Sequence, residues 1–526
     1  MLAVLLVSAG GIQIYVSFFL DNRFKTILID RFHAASEHQY HLQMGDFDLK
    51  VFGRALEISN IEITKKDKKA DNNLKLNVKQ LNISGINLIQ FFLSNKLSLN
   101  EIDIVRPQIQ LTTSGTDSTG INSTDRIPDY WSGITSRTRQ TVSISHLNIQ
   151  DFSFQYNRAE IPAAPYLSFQ NGFIQMQNIT IDSTFLANDR ILPARQFSAF
   201  FEDLRFQSEN KFYRFSAEKL DFSSAEMNFN IHALRVSPQF DKKQFAARKG
   251  HETDRITMAI NEIQAEGIDY PKLAKNEGLF VRQIMINQPN MNIYRDKRPP
   301  FPANNNPPLP QQMIRRVPFP FNIDSITISK GNIKYSERKA EANEAGFISF
   351  DDFSASFSNL TNIKNRWNNQ KHPFLKAETH IMGKAKLRAE FTFPMRTGEQ
   401  HIKGNLESMD MKPLNKALEP LAFVRIDDGK ILGMHFSMNL TAQLARGNMT
   451  FRYEDLKISL LNKDFGKETL GHKFTSLLAN TFKVKSNNSG DNIRIVNIDF
   501  QRDDQKSVFN YWWKSLLSGL KASIGV

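Results

Sequence analysis

The chain has 526 residues, of which 40% are apolar and 23% charged. That composition excludes a wholly disordered chain and leaves room for three or four ordinary domains, or fewer elongated ones. Cysteine is absent, which excludes disulfides, thiolate nucleophiles and cysteine-ligated metals. The formal charge of +13 suits anionic lipid headgroups or nucleic acid. Phe is abundant, with 42 copies against 4 Trp, so the fold has much apolar surface to place.

In chain order, residues 1–20 come first. They read MLAVLLVSAGGIQIYVSFFL and carry no charged side chain. Twenty helical residues reach about 30 Å, the thickness of a bilayer hydrocarbon core, so the run is expected to be a transmembrane anchor. A cleaved signal peptide is the rival. Its best site, Val7-Ser8-Ala9, would leave too short an apolar region. Arg23, Lys25 and Arg31 follow the run and no basic residue precedes it. By itself, the positive-inside rule then puts the body in the cytoplasm.

Helix signal is sparse: residues 24–38, 88–93 and 413–422. From Leu49 to Phe500 the dominant signal is alternation of period two, the mark of strands with one apolar face. An eight-residue pattern recurs: apolar, polar, apolar, two polar, apolar, polar, apolar. Clean copies begin at Leu56, Leu76, Leu97, Val142, Ile174, Phe215, Phe321, Ile348 and Phe451. Chance would give about two. The two adjacent polar residues shift the phase by one. A β-bulge at that point would return the apolar set to one face. Two-residue turns explain it less well, because the positions read SN, KQ, NE, SH and DD and lack Gly.

A longer repeat is superposed. LSLNEIDIVRPQIQL at Leu97–Leu111 aligns with LFVRQIMINQPNMNI at Leu279–Ile293, with Pro107 on Pro289. Each block is followed by a polar insertion, residues 112–141 and the Pro-rich 295–320, and then by strands containing Tyr156 or Tyr335. The expected organisation is an anchor at 1–20, a first β-groove segment at 21–228 and a second at 229–371. The second is a tandem copy of about 56–181, with the Pro-rich loop 295–320 inside it. A C-terminal β segment follows at 372–500, then an amphipathic helix at 501–526. In that helix Phe509, Trp512, Trp513, Leu516, Leu517 and Leu520 share an apolar arc, and Lys514 and Lys521 lie on the other side. Either a bilayer interface or the protein's own core would cover that arc, and both Trp residues are expected to be buried in either case.

The expected fold is therefore mostly β. An N-terminal transmembrane helix precedes an elongated, repeat-built antiparallel sheet curved into an apolar groove, and a C-terminal amphipathic helix ends the chain. A one-faced apolar sheet must bury that face in a sandwich, under helices, or around apolar cargo. Helices are too few, and acyl chains are the natural cargo beside a bilayer. Ile102, Ile104, Ile109, Leu111, Ile284, Ile286, Met291 and Ile293 are the candidate groove lining. Twenty to twenty-five strands at about 4.8 Å would give a groove of roughly 100–120 Å.

At this point the chain resembles AsmA-like proteins, which are akin in architecture to chorein-type bridge-like lipid transfer proteins. The resemblance rests on four features in order: the apolar N-terminal helix leading into GDFDLKVFGRALEISNIEI, the recurring strand-Pro-strand unit, GNLESMDMKPLNKALEPL leading into DDGKILGMHFSMNLTAQLARGNMTFRYEDLKISLLNK, and the terminal FQRDDQKSVFNYWWKSLLSGLK. The resemblance implies a single-pass inner-membrane protein with its body in the periplasm. It also implies a phospholipid-binding β-groove that moves lipid toward the outer membrane.

No catalytic motif is present: no phosphate-binding loop, no G-x-S-x-G elbow and no H-E-x-x-H. No enzyme activity and no cofactor is expected. His33, His38 and His41 form the one His cluster, and a membrane-proximal polar segment explains it better than a metal site. Scattered basic residues with no recognition helix speak against nucleic acid. The expected partners are phospholipid acyl chains and the membrane, with envelope proteins as further candidates. The alternative function is a structural scaffold or assembly factor for envelope and outer-membrane proteins. An enzyme acting on envelope polymers would need clustered carboxylates, which the sequence does not bring together.

Overall fold

The computed structural model describes residues 21–36, 38–50, 53–66, 72–86, 96–113, 141–158, 165–182, 194–302, 305–367, 371–461, 484–491 and 493–526. The expected anchor at 1–20 and the expected helix at 88–93 lie outside the described residues. Among the described residues no helix is long and apolar enough to cross a membrane.

The protein is mostly β, with 22 strands among the described residues. They fall into two compact units, residues 1–233 with 267–278, and residues 234–266 with 279–526. In unit 1 the helix α1 (Asp21–Ala35) precedes β1 (Tyr40–Gln43) and β2 (Phe47–Lys50). Both short strands pair with β3 (Ala55–Lys65). Then come β4 (Asn72–Ser84), β5 (Lys96–Thr113), β6 (Thr141–Arg158), β7 (Leu167–Ile181), β8 (Gln196–Gln207) and β9 (Tyr213–Ser223), each paired with the one before.

Strand β10 (Asn228–Pro238) and the helices α2 (Lys242–Lys249) and α3 (Tyr270–Ala274) flank β11 (Asp254–Glu266) in the chain. In unit 2, β11 pairs with β12 (Leu279–Asn287) and β13 (Asn290–Asp296). These two are collinear along β14 (Phe321–Arg338), and the helix α4 (Pro310–Arg316) lies between β13 and β14 in the chain. The sheet continues through β15 (Gly346–Thr361), β16 (Phe374–Ile381), β17 (Ala385–Thr392) and β18 (Gln400–Leu406). The two-residue β19 (Met409–Asp410) and the helix α5 (Asn415–Ala422) lead to β20 (Val424–Leu440). That strand pairs with β18 and with β21 (Leu444–Leu460), which pairs with β22 (Val496–Gln501). The helix α6 (Val508–Ile524) ends the chain, with Ser507 capping its N-terminus and Gly525 in the left-handed region after it.

The sheet is not wholly antiparallel, and this corrects the sequence expectation. Strands β5 and β6 run parallel, as do β12 and β13 with β14. Parallel neighbours need a crossover long enough to return along the strand. In unit 2 residues 297–320 connect the parallel strands and contain α4, so they are a crossover rather than a plain loop; residues 114–140 of the first insertion lie outside the described residues.

At four of the nine patterns the adjacent polar pair carries a specific backbone device. Asn60, Asn178, Asp352 and Asp455 are the second polar residues of their eight-residue patterns, and each has φ near +50°. Left-handed Asn and Asp are the least costly non-glycine residues there. In unit 1 Asn60 and the left-handed Arg106 are level with each other across β4, at Lys79, while Asn178 lies on a separate line, level with Ser145. Left-handed Arg106 and Asp151 sit on adjacent strands and form an ion pair of 3.2 Å. Leu81, Ile58, Val78, Ile61 and Leu76, from both sides of this line, join one apolar cluster. Ile179 and Ile181 likewise join Leu147 and Met176 across the line at Asn178. The phase shift therefore leaves the apolar residues on one face.

The same left-handed positions recur in the second copy. Arg54 matches Met227, Asn60 matches Ala233, Gly85 matches Gly267 and Arg106 matches Gln288. Asp151 matches Lys330, Asn171 matches Asp352 and Asn178 matches Asn359. Strand register repeats as well: Leu81 faces Ile104 and Leu76 faces Ile109, while Ile263 faces Ile286 and Met258 faces Met291.

Exposed Asn178 gives a direct test. Asn178→Gly should leave the thermal unfolding midpoint unchanged or raised, whereas Asn178→Val should cost about 1–2 kcal/mol. Equal midpoints for the two variants would show that the left-handed backbone is not required there.

Candidate functional site

Residues directly opposite each other on paired strands point to the same face, so the register traces apolar rungs across each unit. In unit 1 one rung runs Ile58, Leu81, Ile104, Ile149, Ile174, Ala199 and Phe222. Another runs Leu56, Ile83, Ile102, Leu147, Met176 and Phe197. Beyond the line of left-handed residues, Ile63, Leu76, Ile109, Phe154 and Phe169 follow. Last come Leu74, Leu111, Tyr156, Leu167, Phe206 and Phe215. The candidate lining residues Ile102, Ile104, Ile109 and Leu111 thus occupy four rungs of one face, with the rung of Ile61, Val78 and Pro107 between Ile104 and Ile109. All four are half-buried.

The opposite face of unit 1 is polar. Glu57, Asn82, Asp103, Asn148, Gln175 and Ser198 form its equivalent rung. The Asn148 amide donates to Glu101 at 3.0 Å and to Asp103 at 2.9 Å, and Gln175 donates to Asn148 at 3.3 Å. A sheet with this division keeps its polar face in water.

In unit 2 one rung crosses ten strand positions: Ala265, Ile284, Ile326, Phe357, Leu375, Phe391, Ile402, Met438, Gly447 and Ile498. Its neighbour starts at Ile263, Ile286 and Ile328 and then narrows to Ala355, Ala377, Ala389 and Gly404 before Phe436. Gly404 is required here, since a Cβ on it would lie 2.5 Å from the Phe436 ring. Met291 and Ile293 continue the face through Ile333 and Tyr335. Ile284, Ile286, Met291 and Ile293 are all half-buried. Behind the face, Lys376, Glu390 and Lys403 form a charged ladder, with Lys403 and Glu390 2.8 Å apart. These two lysines hold the Glu390 carboxyl below the usual range, Lys403 being the stronger influence.

The C-terminal strands of unit 2 are closed. Leu440, Ala445, Met449 and Tyr453 are fully buried beneath α6. The helix docks through Val508, Tyr511, Ser515, Gly519 and Ser523, a face of mostly small residues that permits close approach. A Cβ on Gly519 would lie 3.0 Å from Ile498 and 3.1 Å from Met449. Trp512 packs on Phe391 with ring centres 4.9 Å apart and planes tilted by 46°, and it donates from Nε1 to Gln400 at 2.8 Å. The crossover lies over the same region. Leu309 enters the buried cluster, Gln311 donates to the Glu399 carbonyl at 2.6 Å, and Arg502 donates to the Pro307 carbonyl at 2.9 Å.

The expected interface stripe on α6 is therefore split. Trp512, Leu516 and Leu520 pack against the core and Leu517 is half-buried, while Phe509 and Trp513 are 72% and 49% exposed. Of the two Trp residues, Trp513 is therefore not covered by the protein's own core. The small residues, not the widest apolar arc, decide which side docks, because they let the helix backbone approach the sheet.

At the far rim of unit 2 the rung is charged. Arg295 donates to both oxygens of Asp254 at 2.8 and 2.7 Å. Burial opposes the Arg295 charge most strongly of any single influence, but the hydrogen bonds and charge of Asp254, with Tyr335 and Glu337, together raise its pKa. Tyr335 donates to Glu337 at 3.0 Å, and its phenol is pushed up mainly by burial. His33 lies 5.8 Å from His41 and 6.3 Å from His38 between ring centres. Among the described residues no cluster is arranged to hold a metal ion.

No family model matches the chain, and no curated protein matches it. The crystal structure of a sex pheromone staph-cAM373 precursor is similar at 9% identity, over 66% of this chain and 88% of that one, with a TM-score of 0.13. A TM-score that low does not bear on the fold.

Two outcomes test the closed end. Gly519→Leu should destabilise the protein by about 1–3 kcal/mol in chemical denaturation, and Trp513→Ala by less than about 0.5. Burial pushes the Tyr511 phenol up to about 12. Its contribution to stability is present in full below the unfolded value of about 10 and is lost as pH rises toward about 12. Tyr511→Phe should flatten the stability profile in that window; an unchanged slope would show that Tyr511 does not govern it.

Proposed function

We propose that this protein is a membrane-anchored, non-catalytic lipid-binding β-groove protein. It assists phospholipid transfer between the inner and outer membranes of a cell envelope, with its body in the periplasm. The observation that carries the reading is the set of continuous apolar rungs, mostly half-buried on one face and backed by polar ladders on the other. Burying such a face against acyl chains stabilises it by about 25 cal/mol per Å². Bulges bend the strands that carry them. Register shifts mark bulges between β6 and β7 and between β7 and β8, and they favour a trough in which chains lie on the rungs while headgroups stay at the strand ends. From Ile102 to Leu111 the apolar band extends roughly 27–30 Å along β5, wider than one bilayer leaflet of about 15 Å.

The resemblance to AsmA-like proteins supports the same reading and supplies the location and direction of transport. The helix α1 fits it too. Ile29 and Phe32 pack on the sheet, while Phe24, Ile27 and Leu28 stay exposed directly after the apolar run 1–20. The closed core under α6 favours the second reading, a scaffold for envelope or outer-membrane proteins, over that part of the chain only.

The test is lipid retention by the full-length protein after exposure to phospholipid vesicles, read by mass spectrometry. Ile104→Glu with Ile286→Glu should cut retained lipid about tenfold or more, since each charge enters an apolar face, while circular dichroism stays unchanged. A folded wild-type protein that retains no lipid would favour the scaffold. Unchanged retention in the folded double variant would remove these residues from the lining.

A further inference from the structure

The two units end their apolar faces differently at the rim beside Tyr156 and Tyr335. Strand register makes Thr113 the counterpart of Arg295, and Arg158 the counterpart of Glu337. In unit 2 this rim neutralises itself. Asp254 holds Arg295, and Glu337 takes both Lys297, at 2.7 Å, and Tyr335. The helix α5 covers it as well: a Cβ on Gly346 would lie 2.7 Å from Leu421.

In unit 1 the same rim carries hydroxyls and a cation. The Thr113 and Tyr156 hydroxyls are 3.0 Å apart, so one donates to the other and one hydroxyl proton is left over. The Arg158 guanidinium lies 4.0 Å over the Tyr166 ring. Stacking uses the face of the guanidinium, so its in-plane N–H donors point away from the ring; one is engaged by the Tyr156 hydroxyl, and the others can bind an anion beside it. Burial opposes the Arg158 charge, yet its hydrogen bond to Tyr156 and the surrounding groups, Glu209 among them, shift its pKa upward overall. The adjoining rung is Leu111, Tyr156, Leu167 and Phe206, so an anion at this rim would sit at the end of an apolar stripe.

We propose that Thr113, Tyr156 and Arg158 form a phosphate-binding site at the rim of unit 1, which seats the phosphate of an amphiphile whose chains lie on the rungs. The proposal rests on the lipid-groove reading and deepens it. One unit selects for phosphate, and the matching rim of the other does not.

The experiment exposes full-length protein to vesicles of phosphatidylcholine containing diacylglycerol, then measures the two retained lipids by mass spectrometry. Wild type should favour the phosphate-bearing lipid. Arg158→Gln should lower its retention relative to diacylglycerol roughly tenfold. Arg158→Lys should keep part of the preference. Arg205→Gln, which removes the same charge from the exposed polar face, should leave the ratio unchanged. An unchanged ratio in Arg158→Gln, with both lipids still retained, overturns the site and leaves the groove standing. Retention of neither lipid by wild type overturns both. Inorganic phosphate alone is the second probe: no saturable binding is expected in calorimetry. Saturable binding that competes with phosphatidylcholine would assign the site to a free anion and overturn the lipid-headgroup assignment.

Discussion

Everything in this structure depends on keeping one face of a long, twisting strand apolar. Side chains alternate with a period of two, so any unpaired residue sends the following side chains to the other face. Here adjacent polar residues break the alternation repeatedly, and a left-handed backbone position absorbs the break. Asn60, Asn178 and Asp352 do so where an Asn or Asp is tolerated; Arg106, Lys330 and Ala233 do so with residues less suited to it. Recurrence of the same positions in two copies separates this device from local accident. It converts short alternating blocks into rungs that cross a whole unit.

The rungs meet different fates along the chain. Toward the C-terminus, α6 and the crossover with α4 seal them, and a dense core of Leu440, Met449, Tyr453 and Ile498 results. Elsewhere most rung residues are half-buried, with Ile58, Tyr156, Ala199, Ala265 and Ala355 buried among them. Local stability should follow that division, with the sealed strands exchanging amide protons last. A lipid-binding protein gains from such an arrangement, since a rigid closed end holds the sheet while the half-buried face stays available.

Much of this was legible in the sequence. Alternation identified the strands, and the eight-residue pattern identified where the phase shifts. The spacing of Pro107 and Pro289 marked equivalent strands. Parallel pairing of β5 with β6 was not legible from periodicity, because parallel and antiparallel strands alternate alike; only the insertion length hinted at it. The short helices Lys242–Lys249, Tyr270–Ala274 and Pro310–Arg316 were missed, being too brief for a 3.6-residue period to emerge. The docking face of α6 was misjudged because Ser515, Gly519 and Ser523 add little hydrophobicity and act by permitting close approach. The rim cluster of Thr113, Tyr156 and Arg158 was invisible for another reason: its members meet only through the crossover register.

The most direct test of the account places a photo-crosslinking side chain at successive positions of β6 in the full-length protein in cells. Lipid capture should alternate with the rungs. Positions 147 and 149 should capture lipid and 148 and 150 should not; after left-handed Asp151 the phase should shift, so that 154 captures and 155 does not. Capture at both parities, or at none, would contradict a one-faced lipid groove.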